Sequence, residues 1–257
     1  MLKFWNVNIL FASAGSILVG LNGIFSISPI IFISMIVFYL ALVAYGTTVL
    51  SAQFFIDVRS SGNNSLNAIA ITFDDGPITG KTEKILDILS SNKVPAAFFC
   101  IGNRVDANPE LVKRIYEAGH LLGNHSYWHK STFDLQSSKK IGQELSDTND
   151  AIERAAGVRP AYFRPPYGIT NPMVARAINK GMYKTVGWTV RSFDTISKDR
   201  QSLLRRVTKS LKSGDIVLFH DYCEITGEIL PEFLEKVAAR GLKIVRVDQL
   251  LNEKAYV

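Results

Sequence analysis

The chain has 257 residues, with 47% hydrophobic and 20% charged residues and a net charge of +6, enough for one large domain or two modest ones. Residues 1–61 hold one unit of that excess and residues 62–257 the other five, without an arginine-rich tract, so nucleic acid is not among the expected partners. Two cysteines, Cys100 and Cys223, cannot staple a fold of this size and read as small buried or lining residues.

Residues 4–56 contain no Asp, Glu, Lys or Arg, and within them Ile9–Phe25 and Pro29–Leu50 are apolar runs. A bilayer core takes roughly 20 apolar helical residues. The second run is long enough; the first is interrupted by Gly15, Gly20 and Asn22. The pattern predicts a transmembrane helical hairpin turning over Asn22–Ser28, which makes residues 1–59 an integral cell-membrane anchor of one or two helices. The alternatives are one span after an interfacial segment, and a cleaved signal peptide. The uncharged stretch is far longer than a signal core, and Lys3 is the only basic residue before it. One basic residue on either flank, Lys3 and Arg59, is too little to assign the rest of the chain to a membrane face.

Residues 60–65, Ser-Ser-Gly-Asn-Asn-Ser, are polar and turn-rich and read as a linker to a domain over 66–257. Short β-branched and aromatic runs then alternate with amphipathic ones. Strands are predicted over 68–73, 94–100, 161–163, 183–190, 215–220 and 243–247. Helices are predicted over 81–90, 109–117, 138–156, 172 to about 181, 200–212 and 228–239, with Asn171 as a cap and Pro172 at the first helical position. Alternation of this kind implies a parallel sheet covered by helices. About seven βα units suit a small, irregular βα barrel, in which reacting groups gather where the strands end.

Several candidate reactive groups lie at such ends. Asp74 and Asp75 follow the first strand in Thr72-Phe73-Asp74-Asp75-Gly76-Pro77. Consecutive side chains alternate at a strand end, so one carboxylate can face an ion and the other its water; an Asx-type turn explains the same residues structurally. His125 and His129, four apart, share a face on a helical turn and can bind one ion. His120 reads as a packed histidine. Arg164, in Arg164-Pro165-Pro166-Tyr167-Gly168, can pair with a carboxylate. His220 closes a buried strand as a general acid, with Asp194 to support its other ring nitrogen.

In chain order, the Thr72–Pro77 segment, His125-Ser126-Tyr127-Trp128-His129, Arg164–Tyr167, Trp188–Asp194 and Leu218-Phe219-His220 resemble the five motifs of the polysaccharide deacetylase family, the carbohydrate esterases that include chitin, chitooligosaccharide and peptidoglycan N-acetylglucosamine deacetylases. The resemblance covers about residues 66–250. It implies a distorted (β/α)7 barrel and hydrolysis of the N-acetyl group of N-acetylglucosamine-type residues in a glycan. It further implies a divalent metal, usually zinc, with cobalt or nickel also compatible, held by Asp75, His125 and His129. Asp74 would be the general base, oriented by Arg164. The Tyr167 N–H would stabilise the oxyanion. His220, held by Asp194, would protonate the leaving nitrogen, and Leu218 with Trp188 would line the acetyl pocket.

The fourth motif departs from the family. Where many members read Asp-x-x-Asp-Trp, this chain has Arg191-Ser192-Phe193-Asp194-Thr195. Asp194 keeps the His220 partner; an aromatic wall of the groove is lost, and Arg191 is expected to meet an anionic group of the substrate. Two alternatives stay open: a deacylase or deformylase of a lipid-linked amino sugar, and a catalytically silent glycan-binding membrane protein.

Overall fold

The computed structural model describes residues 2–257. Two helices come first, α1 (Phe4–Phe25) and α2 (Pro29–Thr48), antiparallel and joined by three residues. The turn is shorter than the sequence suggested: α1 runs on through Asn22, whose side chain then accepts from the Ile27 N–H at 2.8 Å. Pro29 at the first position and the Ser28 side chain start α2. The pair meets through Phe11 against Phe38 and Tyr39, and through Tyr39 Oη donating to Asn8 at 2.8 Å. Both helices are long and apolar enough to cross a membrane, and most of their residues face outward, Ile9, Leu10, Ile36 and Leu40 among them.

The remaining elements alternate. They are β1 (Val58–Arg59), β2 (Ala68–Asp74), α3 (Lys81–Ser91), β3 (Ala97–Cys100), α4 (Gly102–Ala107), α5 (Pro109–Glu117), β4 (Leu121–Asn124), α6 (Ser138–Ala156) and β5 (Tyr162–Phe163). After them come α7 (Pro172–Lys180), β6 (Lys184–Val186), β7 (Val190–Arg191), α8 (Arg200–Thr208), β8 (Ile216–His220), α9 (Glu224–Ala239), β9 (Lys243–Ile244) and α10 (Val247–Leu251). All strand pairings are parallel, in the order β1-β6-β5-β4-β3-β2-β8-β7, with β9 also on β2. β6, beside the edge strand β1, and β7, the other edge strand, are consecutive in sequence. Val186 and Val190 are four residues apart, so no more than about 14 Å separates them. The sheet therefore curls into an incomplete barrel, and Gly187-Trp188-Thr189 crosses its gap.

That crossing corrects one expectation: the strand predicted over 183–190 is two strands, β6 next to the edge strand β1 and β7 at the other edge of the sheet. Three shorter elements, β1, β4 and α4, were not anticipated. β4 reads Leu-Leu-Gly-Asn, too short and too lacking in β-branched residues to carry a strand signal, yet it lies fully buried between β3 and β5. Val247 begins α10 instead of ending a strand.

Every residue of β2 is buried, as a strand covered on both faces must be. One core layer joins Ile69, Ile71 and Phe73 of β2 to α3, α5, α8 and α9. A second joins Leu50, Ile56 and Val58 to Phe163, Val174 and Ile178. The segment after α2 is thus part of the domain's own core. Residues 60–65 are likewise tied down, with Gly62 donating to Gly214 O at 2.8 Å and Asn63 to Leu250 O at 3.0 Å. They do not form a free linker in this fold.

The hairpin root is packed closely. Phe4 N donates to Phe54 O at 3.0 Å and Thr170 N to Thr47 O at 3.1 Å, and Lys3 pairs with Asp57 at 2.6 Å. Gly46 lies against the Phe54 ring, where an added Cβ would fall 2.2 Å from a ring carbon. Gly46→Leu is therefore expected to cost about 1–3 kcal/mol through forced displacement. Faster proteolysis within residues 49–57 of the detergent-solubilised chain would show it.

Candidate active site

The strand register sets the reacting groups at one level. Asp74 pairs with His220 across β2 and β8, and Asn124 pairs with Phe163 across β4 and β5, so His125 and Arg164 emerge side by side. Asp74, Asp75, His125, His129, Tyr167, Trp188, Arg191, Leu218 and His220 line one cavity of about 200 Å³. A larger cavity of about 860 Å³ lies between α6, α7 and the C-terminus, lined by Arg159, Lys180 and Lys184. Among the described residues it contains no cluster of metal-ligating side chains, so size alone does not locate the chemistry here.

Arg164 is fully buried. Its guanidinium donates to Asp74 Oδ1 at 2.7 Å, Thr72 Oγ1 at 2.8 Å, Gly187 O at 2.9 Å and Val186 O at 3.1 Å, and it sits 4.1 Å above the Phe99 ring. Burial pulls its pKa down against the pull of Asp74.

Asp75 and the two histidines reach each other by strained backbone and not by helical spacing. Ser126 and His129 have φ of 62° and 49°, and residues 125–130 form a bent loop. Asp75, at φ 76°, turns its carboxylate back toward the side that Asp74 faces. As a result both carboxylates approach His125 Nε2, Asp74 Oδ2 at 3.8 Å and Asp75 Oδ1 at 3.4 Å. His129 Nε2 stands 3.3 Å from the same Asp75 Oδ1.

The tautomer of His125 is set from behind, since Nδ1 lies 2.8 Å from Arg164 O and must donate to it. That leaves the Nε2 lone pair aimed at the cavity, the usual arrangement of a metal-binding histidine. Burial pushes His129 down to about 4, with His125 adding to the shift, so its ring is neutral. Burial would raise the Asp75 carboxyl, but the neighbouring His125 outweighs it and holds the group well below the usual carboxylate range. Asp75 Oδ1 is buried without a hydrogen-bond donor, and a ligand atom from each of Asp75, His125 and His129 lies within 4.8 Å of the others. An ionised, orphaned oxygen facing two imidazole nitrogens is the donor set a divalent cation satisfies. The residues fit the ion.

On the opposite wall, His220 Nδ1 lies 2.7 Å from Asp194 Oδ1. Asp194 also accepts from Ser192 Oγ, Thr226 Oγ1 and the His220 N–H. Burial would raise its carboxyl, yet the bonds from His220 and Thr226 outweigh it and hold the group ionised. Burial also opposes a charged His220, and Asp194 reverses that and raises it. His220 Nε2 faces the cavity, 4.0 Å from Asp75 Oδ2.

Tyr167 adopts φ 59°, and its ring lies 4.8 Å from that of His129. Gly168 and Ile169 donate within the turn, to Pro165 O and Pro166 O, which leaves the Tyr167 N–H outside those bonds. Arg191 reaches the cavity rim, stacked 5.5 Å from Trp188 and 4.8 Å from Phe193. Thr195 lines the cavity too. His120 is buried elsewhere, accepting from Ala96 N at 3.1 Å.

Three participants had not been picked out by sequence reasoning. Thr72 shares Arg164 with Asp74, and Tyr222 joins the cavity wall. Asp221 is buried directly beneath the Asp74-Asp75-Gly76 turn, where a Cβ on Gly76 would collide with its carboxylate. Burial pushes Asp221 up to about 7, and it accepts from Thr82 Oγ1 at 2.7 Å. Its position next to His220 was the available signal.

The sequence profile described as Polysaccharide deacetylase matches residues 61–186, beginning beyond α2. The peptidoglycan-N-acetylglucosamine deacetylase PgdA of Listeria monocytogenes is 35% identical over 189 residues, 74% of this chain. The chain spans only 40% of that relative's length. The peptidoglycan-N-acetylglucosamine deacetylase of Bacillus cereus is 36% identical over 196 residues, 74% of this chain and 91% of the relative. Among solved structures, wild-type BA3943 of Bacillus anthracis, a CE4 family pseudoenzyme, superposes with a TM-score of 0.71 at 30% identity, over 77% of this chain and 70% of that one.

Removing Arg164 tests how these groups depend on one another. Arg164→Ala leaves a buried carboxylate unpaired and is expected to destabilise the domain by about 3–5 kcal/mol, read as a fall in the urea midpoint with unchanged slope.

Proposed function

The chain belongs to the polysaccharide deacetylase family, and we propose that it hydrolyses the N-acetyl group of N-acetylglucosamine-type residues in a glycan, releasing acetate. The observation that carries this reading is the orphaned Asp75 Oδ1 between His125 and His129, with two further groups, Asp74 and His220, facing the same 200 Å³ cavity. In this reading residues 66–257 are the catalytic domain, and α1 and α2 anchor it in the cell membrane by crossing it.

Asp75, His125 and His129 would hold the ion, most simply zinc given a carboxylate and two imidazoles, with cobalt and nickel compatible. When bound, the ion supplies a Lewis acid that polarises the acetyl carbonyl and acidifies a water. Asp74 has one oxygen, Oδ1, committed to Arg164, which leaves Oδ2 to take a proton from the attacking water. The Tyr167 N–H, outside its own turn's hydrogen bonds, would steady the negative charge that develops on the carbonyl oxygen. His220 then gives its Nε2 proton to the departing nitrogen as the C–N bond breaks, and acetate and the free amine leave. Asp194 holds the imidazole in the orientation and charge state this requires.

Leu218 and Trp188 form the apolar part of the cavity, which is sized for a small acyl group and not for a whole disaccharide. A lipid-linked amino sugar is the second reading, favoured by the membrane-length hairpin rooted directly on the domain. BA3943, a CE4 family pseudoenzyme, is a case in which this fold is not an active enzyme. In this chain the full set Asp74, Asp75, His125, His129, Arg164, Asp194 and His220 is retained, which argues against a silent binder.

Acetate release is the test, using the full zinc-loaded chain on peptidoglycan fragments, N-acetylglucosamine oligomers and a polyprenyl-phosphate-linked N-acetylated sugar. Asp74→Asn is expected to lower the rate by about 10²–10⁴-fold. Release confined to the lipid-linked substrate would select the second reading, and no release from any of the three would return the chain to glycan binding. Independently, zinc at a hundred times its dissociation constant is expected to stabilise the fold by about 2.7 kcal/mol. A melting-temperature titration in which His129→Ala responds as strongly as the parent chain would remove His129 from the ligand set.

A further inference from the structure

We infer that the face carrying the reactive cavity rests on the headgroups of the bilayer that holds α1 and α2, and that it is built for an anionic surface. All strand pairings are parallel, so the loops that follow the strands share one end of the barrel, the end at which the cavity opens. The last turn of α2 is bonded to that same end, because Thr170, which donates to Thr47 O, lies in the loop between β5 and α7. Leu50 packs near Gly187, and Gly46 packs against Phe54, so the connection is a rigid root and not a tether.

The loops around the cavity expose large apolar side chains. Trp128 (52% exposed) and Leu135 (78%) follow β4, and Phe193 (37%) and Ile196 (74%) follow β7. Leu135 is next to the hairpin root: the carbonyl of Asp134 accepts from Asn171, the neighbour of Thr170. Cations are interleaved with these residues. Lys130 stacks on Trp128, and Arg191 and Arg206 both stack on Phe193; none of the three is paired with a carboxylate among the described residues. Aromatic rings alternating with free cations, continuous with a membrane-length hairpin, match the headgroup layer of an anionic bilayer. A cavity mouth held there reaches sugars displayed at the membrane surface first.

The inference rests on the membrane-crossing reading of the hairpin and is independent of the deacetylation chemistry, so its test needs no turnover. In a Cys223→Ser background, single cysteines are introduced as Ile36→Cys, Leu135→Cys, Ile196→Cys and Met182→Cys, and labelled with an environment-sensitive fluorophore. The full chain is reconstituted in phosphatidylcholine–phosphatidylglycerol vesicles containing a nitroxide lipid. Met182, 82% exposed just before β6 at the opposite end of the barrel, is the control for an exposed apolar site away from lipid.

Labels at 36, 135 and 196 are expected to be quenched and the label at 182 to stay bright. Omitting phosphatidylglycerol is expected to weaken quenching at 135 and 196 but not at 36. Quenching at 36 without quenching at 135 and 196, or quenching at 182 instead, overturns the inferred face. An unquenched label at 36 overturns the hairpin reading and the inference with it. Quenching at 135 and 196 that does not depend on phosphatidylglycerol overturns the anionic preference.

Discussion

A guanidinium with no access to water organises this domain. A buried charge is tolerable only when its donors are satisfied, and Arg164 meets that condition by drawing on three separate parts of the barrel. It reaches Thr72 and Asp74 on β2, Val186 at the end of β6, and Gly187 in the segment that crosses the barrel gap, while stacking on Phe99 of β3. Its own carbonyl receives His125. The placement of Asp74, through the side chain, and of His125, through the backbone carbonyl, thus depends on a single residue that also ties β2, β6 and the gap-crossing segment together.

The other reactive groups are positioned in the same way, by partners on distant elements. His220, on β8, takes its orientation from Asp194 in the loop after β7, which Ser192 and Thr226 hold in turn. Asp75 and His129 have positive φ, a conformation costing a non-glycine residue of order 1–3 kcal/mol. Such strain persists where surrounding contacts over-determine it. Here the buried turn over Asp221 and the Ser126–His129 bond, with His129 N donating to Ser126 Oγ at 3.1 Å, supply those contacts.

The hairpin and the domain share one packing problem. Residues 49–59 leave α2 and enter the core between β6 and α7, so Leu50, Ile56 and Val58 cover apolar surface that would otherwise face water. Leu50 and Val58 also border Gly187, whose carbonyl accepts from Arg164. The hairpin is structurally continuous with the wall of the candidate site.

Much of this was legible in the residues themselves. Hydropathy alone marks two helices of membrane length, because an uncharged run of 53 residues leaves little else to build. Alternating strand and helix patterns give the parallel α/β class. The spacing of Asp74-Asp75, His125, His129, Arg164, Asp194 and His220 at strand ends identifies which groups could meet, since chain order and parallel strands confine them to one face. Local sequence has no access to the path of the backbone between them. His125 and His129 converge through left-handed residues and not through a helical turn; β4 is held as a strand by its neighbours; one predicted strand is split across the barrel gap. The burial of Arg164 and Asp221, and the rooting of the hairpin in the core, were likewise decided only by tertiary packing. Each depends on contacts between residues far apart in the chain, and no local preference of the residues concerned could have specified them.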